Sequence, residues 1–202
     1  MMDELELDAL TEVVNIGVSR AAASLRGMVG EEVLLTVPSV AILSRAAAAD
    51  QLARSSSHRL IGVRQAFHGE FSGKALLIFP EASSLELVRA VAGSELSLED
   101  IVELEQEALA EIGNIILNSC IATIANLLKR SLTISLPEIV RGHGPELFER
   151  ELVEGEDAIL FIRINFRLHG REISGYLAMV MDLPAIASLR AVMAEFIARN
   201  TP

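Results

Sequence analysis

The chain has 202 residues, 51% of them hydrophobic, and its 28 acidic against 17 basic side chains give a net charge of −11, with a mean hydropathy of +0.41. That length suits one sizeable domain, or two small ones folded as a unit. The acidic balance without a basic stripe excludes a nucleic-acid backbone as the expected partner. No apolar run reaches about 18 residues without polar interruption, so no membrane insertion is expected. The acidic N-terminus "MMDELELD" lacks a basic flank and an apolar signal core, which points to a cytoplasmic address.

In chain order, Asp3 with Glu6 reads as a helix start, followed by the periodic stretch "DALTEVVNIGVSR". A short β-leaning run, "VLLTV", then leads to Pro38 and is expected to end there. The alanine-rich "SRAAAADQLARSSS" reads as a short helix or surface loop, and "FSGKALLIFP" as the second of two longer strands. "SSLELVRAVAG" is a closing helix ended by Gly93. Ser97 with Asp100 then caps a second long helix, which contains "EALAEIGNIILNS". "LTISL" leads to Pro137, and the acidic "RGHGPELFERELVEGED" reads as a surface loop. Two alternating strands, "AILFIRINFRLH" and "SGYLAMVM", and a helix starting near Pro184 complete the chain.

Laid against itself, the chain repeats. Glu12 and Glu111, Asn15 and Asn114, and Pro38 and Pro137 each stand 99 residues apart. "FSGKALLIFP" resembles "ISGYLAMVMD" with Gly73 and Gly175 offset by 102, as if the second copy carried three extra residues. The expected organisation is a single domain of two repeats, about 3–96 and 97–200.

On an α-helix Asp8, Glu12 and Asn15 fall at relative angles of roughly 0°, 40° and 340°, on one narrow face, with the apolar stripe opposite. Glu107, Glu111 and Asn114 repeat these angles, so each polar triad is expected to face solvent. Gly17 and Gly113 lie on the packing side. Because glycine inside a helix costs about 1 kcal/mol relative to alanine, both predict close approach of a neighbouring element. A single Glu-x-x-Asn is ordinarily a solvated helix face; two copies at equal spacing from a proline favour function.

Cys120, in an apolar helix, reads as a buried side chain rather than a nucleophile. The four histidines show no i, i+4 pairing, so no metal is expected on this chain. No glycine-rich nucleotide loop or GxSxG elbow occurs.

These residues resemble the CheC, CheX and FliY group of chemotaxis phosphatases, whose signature is an Asp or Ser, three residues, Glu, two residues, Asn, and a distant Pro. Asp8, Glu12, Asn15 and Pro38 fit it, as do Glu111, Asn114 and Pro137, while Glu107 stands where the family has Asp or Ser. The resemblance implies an α/β (α+β) fold with pseudo-twofold symmetry, a β-sheet carrying the two motif helices side by side on one surface. It implies hydrolysis of the aspartyl phosphate of a CheY-like receiver domain. In that reaction Asn15 and Asn114 would orient the water, Glu12 and Glu111 would meet the receiver's lysine, and Asp8 and Glu107 would be contact residues. The Mg²⁺ of such chemistry would sit in the receiver, with no cofactor bound by this chain, and a CheD-like regulator is a further implied partner. The alternative is a non-catalytic binding module, since the same fold resembles the middle domain of flagellar switch proteins.

Overall fold

Both long helices begin at side-chain caps. Asp3 accepts from the Glu6 N–H (2.8 Å) while Glu6 accepts from the Asp3 N–H (2.9 Å), and Ser97 and Asp100 form the same reciprocal pair. Each box satisfies two N–H groups for which the first helical turn offers no partner. From these caps run α1 (Glu4–Val29) and α4 (Leu98–Leu128). The other elements of this computed structural model are β1 (Val33–Leu43), α2 (Arg45–Ser55), β2 (Leu60–Gly69), β3 (Gly73–Pro80), α3 (Glu81–Ala92), β4 (Leu132–Ile134), β5 (Glu138–Gly142), α5 (Gly144–Glu149), β6 (Asp157–Leu168), β7 (Arg171–Asp182) and α6 (Leu183–Asn200). The structure describes all residues except 1, 31, 56–58, 70–71, 93–96, 130, 150–156, 169–170 and 201–202. Gly93, expected to end α3, lies outside the described residues.

The strands form one antiparallel sheet in the order β1-β6-β7-β3-β2-β4, with β5 also on β2. Exchanging each strand of the first copy for its counterpart in the second reverses this order, which is the signature of a twofold axis between β3 and β7. β1 of the first copy, and β4 and β5 of the second, therefore pair with the hairpin of the other copy. The fold is mixed α/β, as the sequence implies.

The alternation of β6 is real but its first half has two dry faces. Ile162, Ile164 and Phe166 point into the main core under α1, α3, α4 and α6, while Ile159 and Phe161 are buried on the opposite face with Leu60, Leu76, Ile78 and Val180, beneath α2 and α5. Arg163 and Arg167 remain exposed.

Three local expectations are corrected. β1 does not stop at Pro38 but runs on to Leu43, absorbing the missing proline N–H in a register shift between Thr36 and Ser39. At Pro137 the ladder breaks altogether, separating β4 from β5. The acidic segment read as a surface loop contains the end of β5 and helix α5, because Leu147 and Phe148 bury against α2 and the sheet. The registers also correct the alignment of the copies. Leu35 pairs Phe166 as Ile134 pairs Phe67, and Ser39 pairs Arg163 as Glu138 pairs Arg64, all with the offset of the helices. Gln65 therefore corresponds to Ile164. Their hairpin partners are Ala75 and Gly175, so Gly175 does not match Gly73.

Candidate functional site

α1 and α4 lie side by side on the sheet because small residues let them. A Cβ on Gly17 would stand 3.2 Å from the Cys120 Cα and 3.3 Å from the Thr123 Oγ1, so glycine sets the closest helix–helix approach. On Gly113 a Cβ would come within 2.4–2.7 Å of all three Val63 side-chain carbons, so there glycine seats α4 on the sheet. Burial accounts for the polar cysteine: desolvation pushes the Cys120 thiol up to about 12, which leaves it protonated and unreactive. α4 is long and apolar enough to cross a membrane by length and composition, yet 56% of that window is buried inside the fold.

This packing turns one ridge of each helix outward. Asp8, Glu12, Glu107 and Glu111 are exposed and make no hydrogen bond or ion pair among the described residues. The two asparagines depart from the helical-wheel expectation and are half-buried rather than fully open to solvent. At the N-terminal end of each ridge stands an exposed leucine, Leu5 (60% exposed) and Leu104 (38%), again at matching positions. Among the described residues no three of His, Cys, Asp and Glu gather as a metal site.

Beneath the ridges lies polar structure that the sequence reading missed. Glu6 and Glu105 occupy equivalent positions and are both buried. The Arg190 Nε donates to Glu6 Oε1 at 2.9 Å. Glu105 accepts from Arg141 Nη2 and from Ser84 Oγ, both at 2.6 Å. These carboxylates tie each motif helix to its neighbours and leave the motif glutamates free. Their shared offset was a visible signal.

The second copy has a further layer. Asn114 Oδ1 accepts from Gln65 Nε2 at 3.0 Å and from Asn118 Nδ2 at 2.8 Å. Gln65, 1% exposed, also donates to the Ser135 carbonyl at 3.0 Å. Gln65 stands opposite the break that Pro137 makes between β4 and β5, where the residues 135–137 leave the ladder. The distant proline and the motif asparagine thus meet through one buried glutamine. Its signal in the sequence was a polar residue at a core position, in line with Ile61, Val63 and Phe67. Among the described residues Gln65 Oε1 and Asn118 Oδ1 are buried without donors, at about 1–3 kcal/mol each. Asn15 has none of it: its counterpart partners are Ile164 and Ser19, and it makes no hydrogen bond among the described residues.

Comparison with known proteins agrees with this picture. Residues 61–158 match the family model described as chemotaxis phosphatase CheX, a span that includes the second motif. The chain is 26% identical over 197 residues to the CheY-P phosphatase CheC of Bacillus subtilis, covering 92% of both chains. Among solved structures it is similar to FliY of Thermotoga maritima (TM-score 0.73, 18% identity, 96% of this chain and 98% of that one). It also resembles a chain of the FliM–SpeE complex of Helicobacter pylori (0.66, 11%, 96% and 97%) and one of the CheX–CheY–BeF3–Mg²⁺ complex of Borrelia burgdorferi (0.51, 15%, 82% and 96%). With its doubled motif and this sheet-and-helix architecture, the chain is similar to the CheC, CheX and FliY group of chemotaxis phosphatases.

Proposed function

We propose that this protein is an aspartyl-phosphate phosphatase that acts in the cytoplasm on a CheY-like receiver domain and so tunes chemotaxis or a related two-component pathway. The observation that carries this reading is the duplicated Glu and Asn pair, presented on adjacent helices with carboxylates that have no partner among the described residues. The relative named a CheY-P phosphatase and the CheX structure solved with CheY support it.

An acyl phosphate is already activated, so its hydrolysis is chiefly a positioning task. Water oxygen bonds to phosphorus as the bond from phosphorus to the receiver's aspartate oxygen breaks, the carboxylate leaves, and the water proton ends on the released phosphate. Asn15 and Asn114 hold the water and phosphoryl group, as neutral carboxamides can beside negative charge. Glu12 and Glu111 pair with the receiver's active-site lysine. Asp8 and Glu107 flank the contact, with Leu5 and Leu104 as apolar rims. Mg²⁺ belongs to the receiver's acidic pocket. A CheD-like protein is a second proposed partner.

The test is phosphate release from a phosphorylated receiver with Mg²⁺, alongside a phosphoserine peptide that should be inert. Glu12→Ala with Glu111→Ala should weaken docking by roughly 1.5–3 kcal/mol, whereas Asn15→Ala with Asn114→Ala should dock normally and lose the rate gain. A receiver that binds without turnover would favour the adaptor reading instead, for which the fold shared with FliM speaks.

A further inference from the structure

The amide orientations in the Gln65 network are dictated by one backbone group. The Ser135 carbonyl can only accept, so Gln65 must offer it Nε2–H, and Gln65's remaining amide proton then requires an acceptor on Asn114. Ser135 is itself fixed by its N–H donating to the Ala66 carbonyl at 2.9 Å. With Asn118 donating to the same oxygen, both lone pairs of Asn114 Oδ1 are used. Asn114 Nδ2 has no partner among the described residues and is not a buried unpaired atom, so it opens to solvent.

We propose that Gln65 is a positioning residue, which, with Asn118, locks the Asn114 carboxamide so that this half-site presents N–H donors and never its oxygen to the docked phosphoryl group and water. This rests on the phosphatase reading and sharpens it. Asn114 works as a fixed donor, to a phosphoryl oxygen or to one lone pair of the water whose other lone pair faces phosphorus. Asn15, whose equivalent strand position holds Ile164 instead of a glutamine, has no such lock among the described residues and is free to turn either end outward. The two half-sites are therefore chemically unequal despite identical signatures.

The experiment uses the full chain carrying Asn15→Ala, so that only the second half-site turns over. Adding Gln65→Met should slow single-turnover dephosphorylation by about tenfold while receiver affinity stays unchanged. In a chain carrying Asn114→Ala the same substitution should add no comparable loss, because the residue it positions is gone. Asn118→Ala should give a smaller loss of the same kind. A loss in affinity, a loss that multiplies with Asn114→Ala, or no loss in either variant overturns the proposal. Side-chain amide NMR gives a readout independent of activity. In the wild type Gln65 amide protons should exchange slowly and those of Asn114 rapidly, and Gln65→Met should collapse the dispersion of the Asn114 pair. Absence of that pattern overturns the locked carboxamide, whereas an inactive wild type with the pattern intact overturns only the phosphatase reading.

Discussion

The two copies of the motif differ little in what they display and much in what supports them. Both ridges carry a leucine, two carboxylates and an asparagine in the same order. Under the second, Glu105 is held by Arg141 and Ser84, and Asn114 by Gln65 and Asn118. Under the first, Glu6 has Arg190, itself about half exposed, together with its cap, and the Asn15 side chain has no partner among the described residues. Duplication has kept the outward chemistry and let the inner layer diverge, which separates the groups that would meet a receiver from those that fix their geometry.

The largest expected effect sits on the asparagines. If a held carboxamide is the better catalyst, Asn114→Ala should lower single-turnover dephosphorylation about fivefold and Asn15→Ala less than about twofold, with the double variant near the receiver's own rate. A larger loss at Asn15 would break the comparison, since orientation would then not limit the rate. Next come the ion pairs of the two buried glutamates. Arg141→Ala strands the Glu105 carboxylate and should cost about 3 kcal/mol in urea unfolding, while Arg190→Ala, removing a half-exposed partner, should cost about 1 kcal/mol. Equal midpoints would show that the two anchors are equivalent. The smallest difference concerns the glycines. Gly113→Ala drives a methyl into the Val63 side chain and should destabilise by about 2 kcal/mol, because a β-branched strand residue cannot turn away. Gly17→Ala meets its neighbour at 3.2 Å and regains helix propensity, so its net cost should stay below about 1 kcal/mol, read as a smaller fall in Tm.

Much of this is legible in the sequence. The caps at Asp3 and Ser97, the shared ridge of each triad and the packing side of Gly17 and Gly113 follow from helical periodicity and local hydrogen bonding, which are short-range. What escaped was long-range or brief. Gln65 acts on a residue 49 positions away, and no local pattern announces that a polar strand residue will meet a break opposite it. Helix α5 has only six residues, too few for periodicity to register, and it exists because Leu147 and Phe148 find the far face of the sheet. The half-burial of the asparagines likewise depends on what lies under the helix. The SG alignment misled because similar strand sequences fix a face but not which residue pairs with which across the sheet.

The exchange of short strands between the two halves has a consequence for synthesis. β1 finds its partner in β6, whose first residue is made more than a hundred positions later, on the order of ten seconds at ordinary translation rates. Through that interval a first half that had formed its hairpin and its long helix would have an open sheet edge, the kind of surface that recruits other chains. A product truncated before Asp157 would keep that edge permanently, so the first copy is committed to waiting for the second.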